Sequence, residues 1–122
     1  GPELAVRRAL HRAGLRFRLH VRGLPGTPDL VLPGRRAVVL VHGCFWHGHG
    51  CRPAPAGDWW RAKIERNRAR DARAERALRR AGWSVLVVRE CRLDADVRRV
   101  TRLLLSRGAA PGRAAPPRPP GP

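Results

Sequence analysis

Two apolar runs constrain this chain more than any other feature. Ala37-Val38-Val39-Leu40-Val41 and Trp83-Ser84-Val85-Leu86-Val87-Val88 stand out from an otherwise arginine-rich sequence. Runs of this length, rich in β-branched residues, read as strands buried on both faces. Pro2 to Ala13 reads as a helix, with Pro in its first turn, Val6, Ala9, Leu10 and Ala13 as its apolar stripe, and Gly14 closing it. Asp58 caps a long helix through Ala81 that Gly82 ends, and Leu93 to Arg107 forms a last helix. Arg16 to Val21 and Asp29 to Leu32 read as shorter strands. Between the elements, residues 23–28 carry turn chemistry and Pro33-Gly34-Arg35-Arg36 a hairpin-type turn. The order α-β-β-β-α-β-α predicts an α/β fold, a small mixed sheet flanked by helices.

With 122 residues the chain supports one domain, and 26 Lys+Arg against 9 Asp+Glu give it a formal charge of +17. At 43% hydrophobic it is too apolar for wholesale disorder. No apolar run approaches the ~18 residues of a membrane span, and no secretory segment is visible. Three cysteines cannot form a closed disulfide set, which favours reduced thiols and a cytoplasmic protein. The positive excess points to a polyanion, most simply nucleic acid. Part of that charge is compositional, because all but one of the basic residues are arginine. Residues 108–122 hold six of the twelve prolines and read as a disordered Pro/Ala/Arg tail, leaving 1–107 as the domain.

The chemistry concentrates in His42-Gly43-Cys44-Phe45-Trp46-His47-Gly48-His49-Gly50-Cys51. Cys44, His49 and Cys51 with Cys91, which ends the second apolar run, supply a Cys₃His set suited to a structural zinc. The plainer reading makes them small buried side chains with incidental histidines. His42 follows the first apolar run at its C-terminal end, where open α/β sheets place their chemistry, and His47 also lies outside the zinc set. Phe45 and Trp46 suit a wedge or stacking surface for bases, or a loop packed over its own metal.

Acids are scarce, so their positions matter. Glu3 lies on the same stripe as Val6 and Leu10, and its first-turn placement is the simpler explanation. Asp29 follows Pro28 at a strand start, where it can hold Mg²⁺ or simply make a turn. On the long helix Trp60, Ile64, Asn67, Asp71 and Leu78 share a narrow arc, so Asn67 and Asp71 interrupt the predicted core stripe and need partners. A histidine suits Asp71. Arg61, Lys63, Arg66, Arg68, Arg70 and Arg73 make the remaining face cationic.

Four segments together resemble the very short patch repair (Vsr) endonucleases, which are DNA mismatch nickases: residues 26–32, 41–47, 60–71 and 82–91. The resemblance runs from about Glu3 to Leu105, without the N-terminal segment that the family carries before this point. It implies a restriction-endonuclease-like, PD-(D/E)xK-related core with structural Zn²⁺. It further implies Mg²⁺-dependent nicking of duplex DNA on the 5′ side of the thymidine in a T:G mismatch. By position, Asp29 matches the family's metal-binding aspartate, aided by the Val41 backbone carbonyl, and His42 and His47 match its catalytic histidines. Asp71 matches the carboxylate paired with a histidine, Glu3 an active-site glutamate, and Cys44, His49, Cys51 and Cys91 the zinc ligands. Phe45, Trp46 and Trp60, with Lys63 and Asn67, fall where the family meets DNA. Val41 stands at a usual threonine position, and the Glu-x-Lys of the wider superfamily is absent, as it is from this family. The resemblance implies a bacterial monomer with mismatch-repair proteins as further partners. The alternatives are a zinc-stabilised DNA-binding module without catalysis, or a related nuclease with another DNA target.

Overall fold

The computed structural model describes residues 1–43 and 57–107. Expectations for Cys44, Phe45, Trp46, His47, His49 and Cys51, and for the tail, lie outside the described residues.

The described chain forms α1 (Pro2–Arg12), β1 (Arg18–Leu19), β2 (Leu30–Leu32), β3 (Ala37–His42), α2 (Asp58–Arg80), β4 (Ser84–Arg89) and α3 (Leu93–Arg107). The strands lie in the order β1-β2-β3-β4. β1 and β3 run antiparallel to β2, whereas β3 and β4 are parallel, with Ala37 opposite Ser84 and His42 opposite Arg89. The sheet is therefore mixed, as the order of elements predicts.

Strand alternation sorts the core onto two faces. Val6 and Leu10 of α1 with Val100 and Leu104 of α3 pack on Leu30, Leu32, Ala37, Val39 and Val88. On the other face, Leu78 of α2 packs with Val31, Val38 and Trp83. Each such side chain contributes about 1.5–3 kcal/mol by leaving water, so the two-helix face carries most of the stabilisation.

Four expectations change. The strand expected over Arg16–Val21 is only Arg18–Leu19, because His20 takes φ +47° and turns the chain out of the ladder. The turn at Pro33 is a single 3-10 turn ended by left-handed Arg36. Among the described residues the second apolar run is an edge strand, so in it only Val88 is fully buried and Trp83 nearly so. On α2 the predicted stripe is fully buried only at Leu78.

Length explains that last difference. Six residues of β3 span about 20 Å, whereas the 23 residues of α2 span about 34 Å. The C-terminal end of α2 is fixed beside the start of β4, where the Trp83 N–H donates to the Leu78 carbonyl (3.0 Å). The surplus therefore projects past the edge at which β3 ends. Gly26 seats its loop against α2, since a Cβ there would lie 2.7 Å from the Ala74 Cβ, and φ is +72°. Among the described residues no helix is long and apolar enough to cross a membrane.

Candidate active site

The C-terminal edge of the parallel pair gathers the chemistry. Asp29 sits in the bend before β2, and its Oδ2 accepts the Val41 N–H at 2.7 Å. That bond orients the carboxylate against the end of the central strand. An extended residue turns its N–H and C=O toward the same neighbouring strand, so the Val41 carbonyl faces the side that Asp29 occupies. His42 is the next residue, the last of β3. Alternation from Val38 and Leu40 puts it on the α2 face of the sheet.

Glu3 reaches the same edge from the first turn of α1. Its Oε1 lies 3.2 Å from His20 Nε2. The potential ligand atoms of Glu3, His20 and Asp29 all lie within 4.8 Å of one another. The first-turn position of Glu3 is thus also the position that presents it to Asp29. Two carboxylates and an imidazole converge here from three successive segments: α1, the end of β1 and the start of β2.

The remaining candidates occupy the projecting helix or the end of β4. Asp71 and Asn67 are half-buried on α2, and Asn67 Oδ1 accepts a hydrogen bond from Arg70 (2.7 Å). Lys63, Arg66, Asn67, Ala69, Arg70 and Arg73 line a groove of about 360 Å³ along that helix. Trp60 is half-buried and meets Trp59 edge-on, with centroids 4.6 Å apart and planes at 90°. Trp59 is 60% exposed, and the Lys63 Nζ stands 5.4 Å from its centroid. Cys91 is exposed in the short turn Glu90–Arg92 directly after β4. Its partners in the expected zinc set lie outside the described residues.

Asp96 braces this edge. It is 4% exposed in the first turn of α3, and its Oδ2 accepts the Arg89 backbone N–H (2.9 Å) and the Arg89 Nε–H (3.3 Å). Burial alone raises its carboxyl; the Arg89 hydrogen bonds and the charges of Arg89 and Arg99 outweigh that and hold it below the usual carboxylate value. The ionised group so fixes the end of β4 two residues before Cys91.

Sequence reasoning missed three of these residues. His20 looked like one more strand position, and no local pattern shows that a left-handed turn aims it at Glu3. Trp59 was passed over for its neighbour on the core arc. Asp96 gave a weak signal, an acid in a helix's first turn, and its burial depends on Arg89 from another element.

The molecule is thus an α/β protein with a carboxylate–imidazole cluster at the edge of its sheet, beside a long cationic helix. A family profile described as DNA mismatch endonuclease Vsr matches residues 1–53, which include Glu3, His20, Asp29 and His42. The type II nicking enzyme V.XorIIP of Xanthomonas oryzae pv. oryzae is 60% identical over 97 residues, covering 76% of this chain and 71% of its own. The type II nicking enzyme V.NmeAIP of Neisseria meningitidis is 42% identical over 96 residues, 75% of this chain and 69% of its own. The DNA mismatch endonuclease Vsr of Escherichia coli is 45% identical over 84 residues, 66% of this chain and 54% of its own. The chain belongs to the Vsr endonuclease family.

Proposed function

We propose that this DNA endonuclease uses Mg²⁺ to nick duplex DNA on the 5′ side of the thymidine in a T:G mismatch. The observation that carries the reading is the Asp29 carboxylate, fixed by the Val41 N–H with Glu3 beside it. The hard oxygen donors available there, two carboxylates and a backbone carbonyl, fit Mg²⁺. Names among the relatives speak of nicking and of mismatches, and they support both parts of the proposal.

Asp29 and the Val41 carbonyl would hold the ion, with Glu3 in reach of it. An ion held there would supply Lewis-acid polarisation of the scissile phosphate and stabilisation of the leaving oxygen. His47, oriented by Asp71, takes the proton of the attacking water. His42 steadies the charge that develops on the phosphate. Phe45, Trp46 and Trp60 enter beside the mismatch, where a step costs less to unstack than a paired one. Lys63, Asn67 and the arginines of α2 hold the duplex backbone. Cys44, His49, Cys51 and Cys91 would hold structural Zn²⁺; Cys91 offers a sulfur donor of the kind such a site takes, just after the strand beside β3. Residues 1–107 form the catalytic domain, acting as a monomer in the bacterial cytoplasm, and 108–122 a basic tail.

Strand-resolved cleavage of a labelled T:G duplex and its T:A control in Mg²⁺ tests the reading. Nicking 5′ of the mismatched thymidine alone is expected. Equal cleavage of both duplexes would transfer the chain to nucleases with another target, and binding without cleavage would make it a DNA-binding module.

A further inference from the structure

We infer that His20 is a ligand of the ion held by Asp29, so that Glu3, His20 and Asp29 form a mixed nitrogen–oxygen site that favours Mn²⁺ over Mg²⁺. The inference rests on the ion-binding role of Asp29 proposed above. It adds a residue that the sequence pattern does not mark.

The distances suit a shared ion. An octahedral ion with ligands at about 2.1 Å sets neighbouring ligand atoms about 3.0 Å apart and opposed ones about 4.2 Å apart. Glu3 Oε1 and His20 Nε2 are separated by 3.2 Å, the spacing of adjacent ligands, and the whole group fits within 4.8 Å. Shifts below 1 Å close the remaining difference.

The backbone also ties His20 to Asp29. His20 adopts φ +47°, a conformation that L residues seldom take, and its N–H donates to the Asp29 carbonyl (3.2 Å). This hydrogen bond couples the two residues through the main chain, and the left-handed turn sends the imidazole toward Glu3 rather than along the sheet.

Chemistry then sets the metal preference. Carboxylates and carbonyls suit Mg²⁺ and Mn²⁺ alike, whereas imidazole suits transition metals. The site accepts Mg²⁺ through its oxygens and gains from its nitrogen only with the softer ion. Removal of His20 should therefore weaken Mn²⁺ much more than Mg²⁺.

The test is Mn²⁺ binding to the full chain without DNA, measured by titration and by electron spin-echo modulation from coordinated nitrogen. His20→Asn keeps a residue that tolerates left-handed backbone, and its melting temperature reports that the fold is intact. Wild type is expected to show nitrogen coupling. In His20→Asn that coupling should vanish, with the Mn²⁺ Kd raised about tenfold or more and the Mg²⁺ Kd by less than about threefold. Nitrogen coupling that persists in His20→Asn, or wild-type Mn²⁺ without any, would overturn the assignment. Asp29→Asn separates the two readings. If it loses the ion while His20→Asn keeps its coupling, the ligand role of His20 fails and the Asp29 centre stands. If it binds Mn²⁺ as wild type does, both fail.

Discussion

The two faces of the sheet are covered in opposite ways. On one, α1 and α3 together bury Val6, Leu10, Val100 and Leu104 against four strands' worth of aliphatic side chains. On the other, α2 is longer than either helix yet buries only Leu78 completely. The difference teaches that helix length here does not measure contribution to the core. α1 and α3 hold the sheet, whereas the N-terminal part of α2 extends past the edge at which β3 ends and carries cationic side chains. One layer buries most of the described core and the other exposes a row of cationic side chains; if that row meets DNA as proposed, substitutions should separate accordingly.

The largest effect on folding should come from the two-helix face. Leu104→Ala should lower unfolding free energy by about 2–5 kcal/mol in denaturant titration. A loss below 1 kcal/mol would mean that this layer is not the load of the fold. Asp96→Asn should cost about 2 kcal/mol, since it weakens charge-assisted hydrogen bonds to Arg89. The pH dependence follows from the direction of its shift. A carboxyl held below its unfolded value, about 3.9, stabilises the protein fully above that value and ceases to as pH falls through the folded one. Melting curves of wild type and Asp96→Asn should therefore differ most near neutrality and converge only below the ordinary carboxylate range, as the folded carboxyl takes up its proton.

On α2 the readout moves from stability to DNA. Arg66→Ala with Arg70→Ala should change stability by no more than about 0.5 kcal/mol. The same pair should weaken duplex binding and reduce the slope of log affinity against log salt by about 2. An unchanged slope would remove this helix from the interface. The smallest effect is expected at Trp59→Ala, about 1 kcal/mol of DNA binding through lost stacking, with the melting temperature held.

How far the sequence could be read divides along the same line. β3 was legible because an apolar run buried on both faces has few other homes, and its buried span, Ala37–Leu40, falls within the predicted run. The extent of α2 was legible to within a residue or so, but its cap and its burial were not: Gly57 is the N-cap, and Asp58, expected there, is the first helical residue and makes no capping hydrogen bond. A 100° arc records which residues share a face and not how far the sheet beneath them extends. β1 was shortened by a histidine in a conformation usually left to glycine. The candidate site was only partly legible. Asp29 and His42 could be marked by position and resemblance, whereas the meeting of Glu3, His20 and Asp29 depends on three separate segments converging at one edge. Local pattern carries no record of that convergence.

Asp29 is the point on which the account turns, and its substitution with two simultaneous readouts tests it most directly. Asp29→Ala should reduce nicking of a T:G duplex in Mg²⁺ by at least about a thousandfold, in the range of lost metal or oxyanion stabilisation, with the melting temperature within a few degrees of wild type. Nicking that survives in a folded Asp29→Ala protein would contradict the central claim.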